Sequence, residues 1–295
     1  MTTFDMLVEE TNLLLSGYSG NQDQVTHITG SLAPTGLTVT VNDASVVTPG
    51  LVEIGSELLW VQSVNTGTST VTFAPFGRGY RGTTAGTYES GAKLTVAPVM
   101  PRAVLERAIN ATILGTWPTL YGTGVEEFPY LAAIDTYELP AGAERVLSVS
   151  WEAPGPSGEW LPVRRWDVQQ NANTTDYPTG NTITIYDHVM PQHPVRVVYT
   201  KVPTALVSGN AFSVSGLRPS TWDMIQFGAA ARLVPWFEVG HSPGVAAEAN
   251  FTAAIGQKSS PTSLARYLTQ MYQLRLQEEA AALQSLFPVR SHYTR

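Results

Sequence analysis

The sharpest chemical cue in this 295-residue sequence is Gly240-His-Ser-Pro-Gly244, which fits the G-x-S-x-G pattern of a serine nucleophile elbow. An elbow needs a strand before the serine, a helix after it and an oxyanion-hole N–H on the next residue. Here the next residue is Pro243, which has no N–H, and residues 227–239 read as helix. A turn between helices, with Ser242 as N-cap and Pro243 in the first helical position, accounts for the same residues. A serine esterase using Ser242 therefore stands as a remote alternative.

Other chemistry-bearing patterns are weaker. Gly77-Arg-Gly-Tyr-Arg-Gly82 fits G-x-G-x-x-G after a strand, but Thr83-Thr-Ala-Gly86 is no helix to meet a pyrophosphate. Gly86 to Lys93 misses a P-loop because Ala92 stands where the lysine belongs. The five histidines (His27, His188, His193, His241, His292) lack metal-ligand spacing. Glu126-Glu127 and Glu278-Glu279 read as solvated charge. Arg164-Arg165 could meet phosphate, but nearby Glu159 and Asp167 favour a structural ion pair. Trp151, Trp160 and Trp166 could line a sugar-binding face, although strand-borne tryptophan is more often core. No catalytic residue, cofactor or metal is expected.

Composition narrows the class. With no cysteine there are no disulfides and no thiolate chemistry. Only 14% of residues are charged, against roughly 25% in ordinary soluble domains. So little charge suits a surface covered by other subunits better than a free monomer. The net charge of −7 argues against a free nucleic-acid binder. Residues 1–100 hold three basic and eight acidic groups, whereas residues 216–295 hold seven and five. No run reaches the ~18 apolar residues of a membrane span, and Met1-Thr-Thr-Phe-Asp5 lacks the basic start of a signal peptide.

The elements that must position these residues follow from periodicity. Residues 3–16 read as an amphipathic helix through Phe4, Leu7, Val8, Leu14 and Leu15, stopped at Gly17. Residues 25–97 read as a small all-β module, with a hairpin turning at Gly55-Ser56. Pro101 opens a helix to Gly115, striped by Val104, Leu105, Ala108, Ile109 and Thr112. The β module thus has the form of an insertion between two helices. Residues 128–215 suggest an antiparallel sandwich or barrel. Ser220-Thr-Trp-Asp223 has a capping-box pattern before a helix that Pro235 should kink or end. A further helix runs from Ser242-Pro243 to Gly256, and a long one covers 261–286. The long helix is apolar on more than one face (Leu264, Leu268, Met271 and Leu274, but also Tyr267, Tyr272, Leu276, Leu283 and Leu286), so it packs on several sides or faces another subunit.

The order of these parts resembles the head–tail connector (adaptor) proteins of tailed bacteriophages. The resemblance rests on the N-terminal helix, the β excursion, the Pro101-Arg-x-x-x-x-x-Ala-Ile-Asn110 helix, the Tyr137-x-Leu-Pro140 entry into a β domain and the closing helices. It is nearest to adaptors of the tail tubular A, or gatekeeper-ring, type. Val52-Glu-Ile-Gly-Ser-Glu-Leu-Leu-Trp-Val61 and Phe76-Gly-Arg-Gly-Tyr-Arg-Gly-Thr-Thr-Ala85 are similar to an extra β module in such proteins from actinobacterial phages.

The resemblance implies an α+β chain. A discontinuous helical bundle (1–24, 98–124 and 216–290) would form the ring, with an inserted all-β module (25–97), a β-sandwich (125–215) and a C-terminal tail (287–295). It also implies a structural virion protein at the head–tail junction, made in the host bacterial cytoplasm. A homo-oligomeric ring, commonly of twelve copies, would dock under the portal protein and bind a neck, stopper or tail protein below. Double-stranded DNA would pass through its lumen without specific binding, and no membrane is involved. The expected portal contacts are Leu286, Phe287, Pro288, Val289, Arg290, His292, Tyr293 and Arg295. The expected subunit contacts are Tyr267, Met271, Tyr272, Arg275 and Leu276. A β-rich tail or receptor-binding virion protein is the alternative.

Overall fold

A computed structural model describes residues 2–17, 23–155, 158–238 and 261–287. The chain is mixed α+β, with four helices among the described residues and antiparallel sheets. It divides into two compact units. The first comprises Met1–Thr112, Val207–Gly209 and Asp223–Tyr272; the second comprises Ile113–Leu206, Asn210–Trp222 and Gln273–Arg295.

In the first unit, helix α1 (Phe4–Ser16) starts where the Thr3 hydroxyl accepts the Met6 N–H. Phe4, Leu7, Val8 and Leu15 are buried on one face, as the spacing predicts, with Thr11 in place of Leu14. Thr11 can be buried because its hydroxyl donates back to the Leu7 carbonyl at 2.7 Å. Helix α2 (Arg102–Gly115) lies beside α1, since its Arg102 guanidinium pairs with Asp5 and Glu9. The β module therefore leaves and returns between two adjacent helices.

That module is a six-stranded antiparallel sheet: β1 (Gln24–His27), β2 (Thr38–Thr40), β3 (Gly50–Ile54), β4 (Glu57–Asn65), β5 (Thr70–Phe73) and β6 (Lys93–Val96), in the order β1-β6-β3-β4-β5-β2. Its two outer strands meet. Thr29 N–H donates to the Thr40 carbonyl and Asn42 N–H to the His27 carbonyl, both at 2.8 Å, around an Ile28–Val41 bridge. This contact closes the sheet into a small barrel. The side chains of Ile28, Val41, Val52, Leu59, Phe73 and Leu94 help fill it. At the β3–β4 hairpin Ile54 pairs with Glu57, and Gly55 holds φ +60, the conformation the expected two-residue turn needs.

The second unit carries two antiparallel sheets. One has the order β10 (Trp160–Pro162), β9 (Arg145–Glu152), β13 (Pro194–Lys201), β7 (Gly122–Pro129); the other has β11 (Trp166–Gln170), β12 (Asn181–Ile185), β8 (Thr136–Glu138). Both contribute to one core, with Val149, Val195 and Val197 from the first and Tyr137, Ile183 and Ile185 from the second.

Helix α3 (Trp222–Glu238) runs on through Pro235 rather than ending there. Proline sits in the last turn, so the single backbone bond it forfeits falls where the helix is about to stop. The capping box also does not form as read. The Ser220 hydroxyl donates to Glu279 at 2.7 Å, and Asp223 instead accepts the Met224 N–H. Helix α4 spans Pro261–Leu286, as the periodicity predicts. The helix expected from Ser242 to Gly256 lies outside the described residues.

At Gly228 of α3 other helices pack close against the backbone. A Cβ there would lie 2.5 Å from Thr112 Cγ2 and 2.8 Å from the Tyr272 ring. Thr112 is buried and fixed by a hydroxyl bond to the Ala108 carbonyl, so it cannot give way. Gly228→Ala should therefore destabilise the chain in thermal melts. The clash, of order 1–3 kcal/mol, exceeds the roughly 1 kcal/mol gained in helix propensity.

Candidate functional site

The G-x-G-x-x-G segment reaches the surface of the barrel as a pinned turn. Glu57, on β4, is fully buried, and its carboxylate takes a two-pronged bond from Arg78: Nε to Oε1 at 2.8 Å and Nη2 to Oε2 at 3.0 Å. It also accepts the N–H groups of Gly79 and Gly86, at 2.9 and 3.0 Å. Arg78 completes its set on the carbonyls of Ala33, Gly36 and Gly86. The loop N–H groups that a phosphate would need are thus held by an internal carboxylate. Burial pushes Glu57 up, but Arg78 and the two N–H groups outweigh it and hold the carboxyl below its ordinary range. Next to this turn, Phe76 is 70% exposed, Tyr80 packs on Trp60, and Arg81 (φ +54) lies over the Tyr80 ring.

A second charged cluster joins α1, α2 and the barrel. Besides Asp5 and Glu9, Arg102 pairs with Glu106 through Nε at 3.0 Å. The Arg102 N–H, the first of α2, is capped by both oxygens of Glu53 at 3.1 and 3.0 Å. Burial pushes the Glu53 carboxyl up to about 7, against the pull of Arg102, with Asp23 and Glu106 adding to the rise. A cleft of about 320 Å³ opens beside it, lined by Glu9, Asn12, Tyr88 and Lys93 among others. Sequence reasoning missed this cluster because its members come from three separate elements.

The expected subunit-contact residues on α4 divide. Tyr267 is 53% exposed and Met271 is half-buried; Leu274, which was not among the expected contacts, is 46% exposed and shares their stripe of the helix at i, i+4 and i+7. Tyr272 is turned inward against Gly228, and burial raises its hydroxyl pKa. Arg275 bonds Glu278 at 2.6 Å and the Ser220 carbonyl at 3.2 Å. Leu276 is half-buried. Of the expected portal contacts, Leu286 is 59% exposed and Phe287 half-buried. Pro288, Val289, Arg290, His292, Tyr293 and Arg295 lie outside the described residues.

The remaining cues find mostly structural partners. Arg165 pairs with Asp187 at 3.0 Å rather than with Glu159 or Asp167, because Asp187 also caps the N–H groups of Arg164 and Arg165. Glu127 pairs with Arg196 at 2.5 Å. Glu279 is buried on Ser220 and Arg275, not solvated as its pairing with Glu278 suggested. Trp160 lies under the Arg196 guanidinium at 3.8 Å and Trp151 packs edge-on to His193. Trp166 packs on the shared core of the two sheets. His27 and His188 are exposed. Ser242 and His241 lie outside the described residues, but α3, ending at Glu238, stands where an elbow would need a strand.

Among the described residues there is no cluster of three His, Asp or Glu placed to hold a metal, and no helix long and apolar enough to cross a membrane. No protein-family model matches the sequence. A search of curated proteins returns no significant relative.

Proposed function

We propose that this chain is a head–tail connector of a tailed bacteriophage: a structural virion protein whose copies form a ring, commonly of twelve, between the portal and the next neck or tail protein. In this reading the helices pack as a bundle in the ring wall and the two sheets of the second unit form a sandwich. An acidic lumen, in keeping with the net charge of −7, would repel phosphates and let DNA pass without sticking. The observation that carries the reading is α4. It buries Leu268, Glu279 and Leu283, yet also holds Tyr267, Met271 and Leu274 in a separate stripe that remains open. The low charge content and the β module set between α1 and α2 support the same reading.

The subunit contact then runs through Tyr267, Met271 and Leu274. Leu274→Glu is expected to leave the melting of the isolated chain within about 0.5 kcal/mol of the parent, as for other exposed sites, and to weaken ring assembly at least tenfold in sedimentation. The decisive observation is electron microscopy of virions or the purified neck complex, with mass spectrometry on the same sample. A ring of this chain between portal and tail is expected. The exposed Phe76 beside Tyr80 and Arg81 favours a second reading, a ligand-gripping tail protein. Finding the chain at the tail tip would select it.

A further inference from the structure

A groove of about 880 Å³ lies within the second unit. Trp117, Tyr121, Trp166 of β11 and Phe287 give it aromatic walls, whereas the cleft beside Glu53 also carries Glu9, Asp23, Lys93 and Arg102. Helix α4 forms one side of the groove through Ala280, Leu283 and Gln284. At about 100° per residue, these three lie roughly opposite Tyr267, Met271 and Leu274 around the helix. The helix therefore projects an apolar stripe on one side and walls an aromatic groove on the other. A copy cannot seat its own stripe in its own groove, because one helix carries both and they face opposite ways.

We propose that the groove receives the stripe of Tyr267, Met271 and Leu274 from the next copy of this chain. The proposal rests on the connector reading and names the surface that its subunit contact needs. In a cyclic ring of more than two copies every contact is heterologous, so a stripe must meet a different face on its neighbour. The shapes agree. Anchors at i, i+4 and i+7 are the pattern by which a helix lays its apolar side into a groove. The charges agree as well. Arg266 and Glu278, both exposed, stand at the two ends of the stripe, and the exposed Glu144 and Arg145 on the groove offer each an opposite charge. Repeated from copy to copy, the contact holds every α4 between two neighbours.

The natural chain has no cysteine, so engineered pairs have no background. One full-length chain would carry Gln270→Cys or Gln277→Cys beside the stripe, and a second would carry Thr119→Cys or Gln170→Cys in the groove. All four positions are exposed, and none is an apolar anchor. The two chains would be mixed, oxidised with copper-phenanthroline and read by gel mobility. At least one stripe–groove pair should link at least tenfold faster than the same stripe chain mixed with a Thr66→Cys chain, an exposed site on the barrel. Adding Leu274→Glu to the stripe chain should abolish that advantage. Linking no faster than the control for every pair overturns the proposal. So does linking that Leu274→Glu leaves undiminished, or stripe chains that link to each other as fast as to the groove. Stripe–groove links without a ring in virions would sink the connector reading alone; a ring without those links would sink this contact alone.

Discussion

Replacing Arg78 by methionine is expected to cost the chain about 3–5 kcal/mol, the range seen when one partner of a buried ion pair is removed. The size follows from what remains. Glu57 has no exposure to water, and without the guanidinium it keeps the Gly79 and Gly86 N–H groups and the Tyr88 hydroxyl, none of them charged, to offset a buried charge. The carbonyls of Ala33, Gly36 and Gly86 also lose the guanidinium, although Ala33 keeps the Gly36 N–H. Arg165→Met is the control. Its pair with Asp187 is surface-exposed on the arginine side, so the change should stay within about 1 kcal/mol. Urea titration followed by circular dichroism compares the two, and a loss below about 1 kcal/mol for Arg78→Met would refute the assignment of Glu57 and Arg78 as the barrel's pin.

Stability should also fall as pH rises from about 4.5 towards 7, opposite to the trend that most carboxylates impose. Glu53 is the cause. Its carboxyl titrates near 4.5 in the unfolded chain and near 7 in the folded one, so across that window the folded form holds a proton that the unfolded form has released. The difference amounts to about 3 kcal/mol, all of it lost above pH 7. The groups facing Glu53 are Arg102 and Glu106 of α2, Glu9 of α1, and Asp23, Tyr88 and Lys93 of the barrel and its approach. Glu53→Gln keeps an acceptor for the Arg102 N–H and cannot ionise. Its melting temperature should match the parent at pH 5 and exceed it at pH 8. Asp5, Glu57 and Asp187 act in the other direction, because their folded carboxyls titrate below the ordinary value. Their contribution is lost only as pH drops below about 4, so the two windows separate. Parallel pH profiles for parent and Glu53→Gln between pH 5 and 8 would remove Glu53 from the account.

Local signals in the sequence were enough for α1, α2, α4, the Gly55-Ser56 hairpin and most strands. Each is encoded by its own periodicity and end residues, which act over a few positions. Strand β7 was not legible, because Gly-Thr-Gly-Val-Glu-Glu-Phe-Pro has no apolar alternation. It is a strand because β13 pairs with all eight of its residues, and Gly124 leaves room for the Tyr199 ring. The joining of β1 to β2, which makes the module a barrel, was equally invisible, since it depends on a bridge between two strand ends.

Charge partners were decided by the tertiary structure alone. The sequence placed Arg78 in a glycine loop and Glu57 at a hairpin, but only folding brings residues 21 apart onto one two-pronged bond. Arg165 looked to its sequence neighbours and found Asp187 instead; Glu279 looked solvated and is buried. Ion pairs form between whichever side chains the backbone brings within a few ångströms, and in a β-rich chain those are seldom neighbours in sequence. What the sequence determined by itself was the material: the alternations and caps that build each element, the absence of cysteine and the scarcity of charge. Which faces remained open, on α4 and in the aromatic groove, was settled only when the elements had packed, because burial belongs to the assembled surface and not to any one segment.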